Sequence, residues 1–204
     1  MRKIFILVLL ALSSIGYAQT IKDVFSTVPA SILPGLAEST KTMLLVDTGK
    51  TTVPYALGEI EKIYASDDYL LLRTSKAGST QIKLLDYDND STVVCVIKTV
   101  CAKMCDSYIS FYDINWQELP SERFLPTLSG NFFFDSSKKT AENYKYAVSL
   151  PDISPIKAEF VNGADDLTLV FDYKSYLSDS MAAEVEPFLK SDSIILKWDK
   201  STFK

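Results

Sequence analysis

The sequence contains no histidine in 204 residues. Histidine is the commonest general acid–base group near neutral pH and the commonest metal ligand, so its absence excludes Ser-His-Asp and Cys-His catalysis in their ordinary forms. Glycine is also scarce, with seven residues, and none of them forms a Gly-rich phosphate loop or a G-x-S-x-G nucleophile elbow. We therefore predict no catalytic residue and no cofactor.

Cysteine occurs three times, as Cys95, Cys101 and Cys105. The spacing C-x5-C-x3-C lacks the paired C-x-x-C units of structural zinc sites. Cysteines of exported proteins are more often oxidised or buried than bound to a metal. We therefore expect no metal site on these thiols.

An acidic segment between two predicted strands carries Asp86, Asp88 and Asp90 at alternating positions. A calcium-binding loop has the same alternation, but it requires glycine at its sixth position and glutamate at its twelfth. Those positions hold Ser91 and Ile97 here. We interpret the segment as a solvated turn.

The first 18 residues have the three parts of a secretory signal peptide. Two basic residues open the chain, an unbroken apolar run covers residues 4–12, and the small residues Gly16 and Ala18 precede Gln19. The run is shorter than the roughly 20 residues of a membrane span, and charged residues interrupt every later apolar segment. We expect cleavage before Gln19, a periplasmic or secreted mature protein, and no membrane span.

The charge balance is acidic. Loss of residues 1–18 removes two of the 21 basic side chains and none of the 26 acidic ones, which moves the formal net charge from −5 to −7. Nucleic-acid binding needs Lys and Arg to neutralise phosphates, so we expect no nucleic-acid partner. With 47% hydrophobic and 12% aromatic residues, the remaining chain is expected to fold around a core.

The first half of the chain predicts two helices followed by a meander. Thr20 is a suitable N-cap for a helix that ends at Pro29, and a second helix is predicted over residues 38–46. Alternating apolar residues between turn-type clusters then predict strands at residues 58–65, 69–74, 80–85, 93–100 and 107–114. Connections this short join antiparallel neighbours, because a parallel pair needs a crossover of about a dozen residues.

The second half is less regular. The predicted elements are a strand at 131–134, a helix near 137–144, strands at 156–161 and 167–173, a helix capped by Ser178 or Asp179, and a strand at 194–198. Asn162-Gly163 is a strong hairpin signal between two of these strands. The mixture predicts an α+β fold of antiparallel meander sheets with a few short helices packed on one face. We expect one domain over residues 19–204, with two packed halves, about 19–118 and 119–204, as the alternative.

One hairpin register can be derived residue by residue. If Cys101 and Cys105 face each other across a three-residue loop, Cys95 faces Phe111 on an apolar face. A one-residue slip would destroy this sorting of side chains, so we predict that Cys95 is a core thiol. A disulfide between Cys101 and Cys105 and a pair of reduced thiols both remain open, whereas Cys95 lies too far along the strand to pair with either.

Carboxylates are the one catalytic route left open, because Asp and Glu can do acid–base chemistry without histidine. Candidates at turns and strand ends are Asp67, Asp68, Asp106 and Asp113. Acidic residues in turns more often bond backbone groups. A hydrolase that uses paired carboxylates is therefore the alternative hypothesis, and two carboxyls about 5–10 Å apart in one cleft would favour it.

Several segments resemble a known family. They are the run TVVCVIKTVC at residues 92–101, then residues 105–107 and 111–113, with the N-terminal apolar run, the proline-punctuated first helix and the last strand. In these residues the chain resembles an uncharacterised domain-of-unknown-function family (family 3256) of exported proteins from Bacteroidetes-type Gram-negative bacteria. The resemblance implies a periplasmic or surface location and brings no catalytic or binding residue with it.

The missing catalytic signatures and the aromatic-rich sheet favour a non-enzymatic binding or structural module of the cell envelope. The expected partner is an envelope protein, a glycan or a small ligand.

Overall fold

The computed structural model describes residues 19–46, 49–55, 58–88 and 91–204. The predicted signal peptide and Asp90 of the acidic turn lie outside these ranges. None of the helices within them combines the length and the hydropathy needed to cross a bilayer.

The first seven strands form one antiparallel sheet in which each strand pairs with its neighbour in the chain. They are β1 (Thr51–Tyr55), β2 (Gly58–Ala65), β3 (Tyr69–Arg73), β4 (Gly78–Tyr87), β5 (Ser91–Cys101), β6 (Cys105–Tyr112) and β7 (Glu118–Leu119). The predicted meander is confirmed. Strand β1 was not predicted. It contains Pro54 and lies at the edge of the sheet, where proline is tolerated.

Two helices cover one face of this large sheet, α1 (Ile21–Ser26) and α2 (Glu38–Val46). Thr20 caps α1 as predicted. Its side chain accepts a hydrogen bond from the backbone N–H of Asp23, and the Asp23 carboxylate accepts one from the backbone N–H of Thr20. This reciprocal pair satisfies two backbone donors that the first turn of a helix leaves without partners.

The second half contains a smaller antiparallel sheet in the order β10-β9-β8. Its elements are α3 (Gly130–Phe133), α4 (Tyr144–Ser149), β8 (Ile156–Phe160), β9 (Leu167–Phe171), α5 (Asp179–Val185) and β10 (Ser193–Leu196). The β8–β9 hairpin is confirmed. Asn162 and Gly163 adopt φ values of 55° and 75° in its loop, the left-handed region that Asn and Gly tolerate best.

Two predictions in the second half are wrong. Residues 131–133 form most of helix α3 instead of a strand, and Phe134, which follows the helix, makes an isolated bridge to Leu189. A short apolar run such as NFFF has no period that separates a buried strand from a buried helix. The helix predicted near residues 137–144 begins only at Tyr144, after a 3-10 turn at Ser136–Lys138.

The large sheet separates two apolar clusters. Its central strands β4 and β5 are buried along most of their length, so both faces need cover. Phe25 of α1 lies in the first cluster, whereas Phe111 and Phe171 lie in the second, between the two sheets. The predicted α+β class is confirmed, with antiparallel sheets and a few short helices.

The predicted register of the β5–β6 hairpin is confirmed, with Cys101 opposite Cys105 and Cys95 opposite Phe111. Cys95 is fully buried, and burial raises the pKa of its thiol. Cys101 and Cys105 form a disulfide in the structure, with Cα atoms 4.0 Å apart. Oxidation of this pair in the purified protein stays a prediction that alkylation tests.

Candidate functional site

Three of the four candidate carboxylates do not converge with one another, and two of them accept hydrogen bonds from backbone N–H groups. Asp67 is exposed in the turn before β3. Asp113 accepts two backbone N–H bonds in the turn after β6, and Asp106, at the other end of β6, accepts the backbone N–H of Ile156 at 3.0 Å. At about 3.3 Å per residue, the length of β6 keeps Asp106 and Asp113 far too distant to act as a catalytic pair.

The fourth candidate, Asp68, belongs to a cluster around Lys83 of β4. Lys83 is 1% exposed. Its ammonium group donates to Asp68 Oδ2 at 2.5 Å and to the carbonyl oxygen of Gly163 at 2.6 Å. It also forms an ion pair with Asp165 Oδ1 at 2.7 Å. We call these four residues the Lys83 clamp.

The Lys83 clamp brings the carboxylates of Asp68 and Asp165 to one ammonium group. Among the candidate carboxylates, this arrangement is the most similar to the pair that a hydrolase would need. A carboxylic general acid needs a raised pKa. Burial would raise the pKa of Asp68, but hydrogen bonds from Lys83 and Ser66 and the charge of Lys83 outweigh burial, and the net pKa is lowered. Asp68 is therefore held ionised, and the clamp fastens the β8–β9 loop to the large sheet.

Lys83 and Asp165 had no predicted role. The available signal was a lysine in the middle of an otherwise apolar strand. Its partners Asp68 and Gly163 lie 15 and 80 residues away in the chain, so the sequence offered no way to identify them.

The outer edge of β8 is also bound to the large sheet. Alternate backbone N–H groups of β8 donate to side-chain oxygens: Ile156 to Asp106, Ala158 to Ser107 and Phe160 to Gln81, at 2.9–3.0 Å. Gln81 is itself buried; its Oε1 also accepts from the hydroxyl of Tyr69, and its Nε2 donates to the carbonyl of Ala158. These bonds hold the small sheet in place and leave this edge of β8 with few free backbone groups.

A cleft of about 700 Å³ opens beside this junction, between β8 and the face of the large sheet formed by β2 to β5. Its volume lies within the range of about 300–1,000 Å³ that is usual for small-molecule sites. Leu71 and Phe160 contribute apolar surface to its walls, and Tyr64 and Val161 line it while remaining 48% exposed. An exposed aromatic ring beside a concave apolar surface is a feature of binding sites.

The polar groups of the cleft are mostly paired before any ligand arrives. Lys157 and Glu159 of β8 form an ion pair at 2.6 Å, and Arg73 of β3 forms one with Glu61 at 2.6 Å. Lys76 lines the cleft without an ion pair to any described residue. The walls come from segments about 80 residues apart in the chain, so the sequence alone could not assemble this cleft.

Within the described part of the chain, no three acidic or thiol side chains converge in a group that could hold a metal ion. Asp86 lies within strand β4, which ends at Tyr87, rather than in the turn that we predicted. The carbonyl of Asp88 accepts the backbone N–H of Ser91 in the turn that follows.

Comparison with known proteins adds a family and a fold. A family model described as "Protein of unknown function (DUF3256)" matches residues 13–203. No curated protein matches the chain. A solved structure of a domain of an uncharacterized protein from Porphyromonas gingivalis W83 superposes with a TM-score of 0.78 at 20% sequence identity, covering 92% of this chain and 98% of that one. At this identity the likeness shows the fold alone.

Proposed function

Because the chain belongs to the DUF3256 family of proteins of unknown function, we propose a role for it from its own residues. The protein is an exported, non-enzymatic binding module of the cell envelope that takes an organic ligand in the cleft beside β8. The family resemblance inferred from the sequence is confirmed by the match, while export and binding belong to this proposal.

The cleft itself carries the binding proposal. It combines a volume of about 700 Å³, apolar walls, a half-exposed tyrosine and a few polar groups that ion pairs already orient. Cross-sheet bonds from Gln81 and the Lys83 clamp hold its walls together. A site of this kind is largely formed before the ligand binds, which lowers the entropic cost of binding.

Ligand-observed NMR against a fragment library tests binding directly. Wild-type protein and Tyr146→Ala, which removes an exposed tyrosine on α4 outside the cleft, should bind the same fragments. Tyr64→Ala should lose them. Absence of any binder, or full retention of binding by Tyr64→Ala, would contradict the proposal.

Export is supported by the basic start, the apolar run and the small residues in positions 1–18. The mature protein recovered from cells should begin at Gln19 or Thr20, as measured by intact mass. Retention of residues 1–18 in a protein from the soluble cytosolic fraction would contradict export.

The non-enzymatic assignment is supported by the lack of histidine and by the lowered pKa of Asp68. A screen with generic esterase, phosphatase, glycosidase and peptidase substrates should stay at background. Turnover that Asp68→Asn or Asp165→Asn abolishes would instead establish the paired-carboxylate hydrolase.

A further inference from the structure

We propose that the cleft and a neighbouring cavity form one continuous groove that binds a neutral oligosaccharide. This inference rests on the proposed function and names its ligand class.

Shared lining residues support the continuity of the groove. A second cavity of about 370 Å³ lies over β1 and β2, and Arg73, Ser75 and Lys76 line both it and the cleft. Together the two cavities extend from Thr52 on β1 to Thr99 on β5. Adjacent strands lie about 4.8 Å apart, so the four intervals span roughly 19 Å. A groove of this length suits a chain of linked units better than a compact molecule.

The charges of the groove balance. Six charged side chains line it. Three are basic (Arg73, Lys76 and Lys157) and three are acidic (Glu59, Glu61 and Glu159). A lining of mixed sign gives no net attraction to a strongly anionic or cationic ligand. It does present many N–H donors and carboxylate acceptors side by side. Sugar hydroxyls, which donate and accept, match that pattern.

Tyr64 supplies the apolar contact that a sugar ring needs. Its ring is 48% exposed and lies 6.0 Å, centroid to centroid, from the buried ring of Tyr69. The hydroxyl of Tyr69 is held by Gln81 at 2.9 Å, so the support under Tyr64 is rigid. A tyrosine in this position offers a flat apolar face and a polar tip at little entropic cost. The C–H face of a pyranose ring is complementary to such a surface.

The strand edges beside the groove disfavour a peptide. Extended peptides commonly bind by adding a strand to an open sheet edge. The edge of β8 has its N–H groups at Ile156, Ala158 and Phe160 bonded to side chains of the large sheet. Strand β1 carries Pro54, which has no N–H to donate. A glycan needs neither edge.

A glycan array followed by calorimetric titration tests the inference. The array should contain neutral oligosaccharides, charged glycans and, as a comparison, peptides of random sequence. For the best neutral glycan, affinity should rise about tenfold or more from the disaccharide to the oligomer that fills both cavities, the gain expected of one or two additional hydrogen bonds.

Two variants test where the oligosaccharide lies in the groove. Tyr64→Ala should weaken all chain lengths. Glu59→Ala, in the second cavity, removes an exposed side chain with no partner among the described residues. It should lower the affinity of the long oligomer toward that of the disaccharide and leave the disaccharide unaffected.

The outcomes separate the inference from the proposed function. Binding of NMR fragments at Tyr64 without binding of any neutral glycan, or with preference for peptides or charged glycans, would overturn the oligosaccharide and leave the binding module standing. Affinity that does not depend on chain length would overturn the continuous groove. If neither the fragment screen nor the array finds a ligand, both the binding module and the oligosaccharide groove are contradicted.

Discussion

The bonds within the large sheet differ in kind from the contacts that join it to the small sheet. In the large sheet each strand pairs with its neighbour in the chain, so its hydrogen bonds are local and backbone to backbone. The small sheet is joined to the large one through an apolar cluster and a few polar side chains, chiefly Gln81, Lys83 and Asp106. The position of the second half therefore depends on a few groups that single substitutions can remove.

This difference matters for the cleft, because one of its walls is β8 and the opposite wall is the large sheet. Variants that loosen the junction should open the cleft while the meander stays folded. Variants elsewhere in the protein should not open the cleft.

Phe111→Ala should cost about 3–5 kcal/mol of unfolding free energy in urea denaturation, because it leaves a cavity in the cluster that both halves share. The ring of Phe111 lies 4.7 Å from that of Phe124 and 6.4 Å from that of Phe203. Phe25→Ala, the matched control, removes an equally buried ring beneath α1. In hydrogen exchange the first variant should deprotect β8 to β10 and the second should deprotect α1. Identical exchange patterns would show that the two clusters behave as one.

Lys83→Met should cost about 2–3 kcal/mol, since it removes two charge-assisted hydrogen bonds and an ion pair but leaves carboxylates that water can reach. Exchange should rise in β8 and β9 and stay low in β2 and β3. The control is Lys174→Met, because Lys174 also contacts two carboxylates, at 3.0 and 2.6 Å, but its side chain is 49% exposed. That control should cost less than about 1 kcal/mol. Equal costs for the two variants would rule out a special role for the clamp.

The disulfide between Cys101 and Cys105 should contribute about 2 kcal/mol, because its closed loop is short. Alkylation without reductant should label no cysteine in the native state and one, Cys95, after unfolding. The double variant Cys101→Ser/Cys105→Ser should show the predicted loss in urea. Three reactive thiols after unfolding would mean that the pair is reduced, and rapid native labelling of Cys95 would contradict its burial.

The clamp also predicts a pH dependence. The folded pKa of Asp68 lies below its ordinary value of 3.8, so the unfolded state binds the proton more readily. The ion pair therefore stabilises the fold fully above about pH 4 and progressively loses its contribution as the pH falls through the folded pKa. The stability gap between wild type and Lys83→Met should narrow below about pH 4. A gap that stays constant into stronger acid would show that Asp68 does not provide it.

Tyr64→Ala should change stability by less than about 0.5 kcal/mol, because the ring is half exposed and outside both buried clusters. The same variant should abolish fragment binding and weaken glycan binding. A large loss of stability, measured in the same urea titrations, would mean that the tyrosine serves packing rather than recognition.

Local patterns in the sequence predicted the meander well because each of its hairpins is a local event. The register of β5 and β6 followed from sorting apolar side chains around Cys95 and Phe111, and the structure has the same pairing. The helix at Gly130–Phe133 was predicted as a strand, since NFFF carries no period and its conformation is set by packing against distant residues. Local sequence patterns therefore fail to predict secondary structure where tertiary contacts determine it.

The candidate site could not be predicted from the sequence for the same reason, because contacts between distant parts of the chain form it. Gln81 bonds residues 77 and 79 positions away, and Lys83 bonds Gly163, which is 80 positions away. Four carboxylates were proposed from turn positions, and only Asp68 lies in a charged cluster, where its role is to fasten a loop. The aromatic-rich sheet led us to predict a binding module, but the sequence did not indicate that Tyr64 would line the cleft.

The most direct test of the binding cleft is an amide chemical-shift titration of ¹⁵N-labelled protein with the best ligand from the array or the fragment screen. The largest shifts should fall in residues 63–81 and 157–162, which form the two walls of the cleft, and they should disappear in Tyr64→Ala. Shifts concentrated on α1 and α2, on the opposite face of the large sheet, with the cleft amides unchanged, would contradict the account.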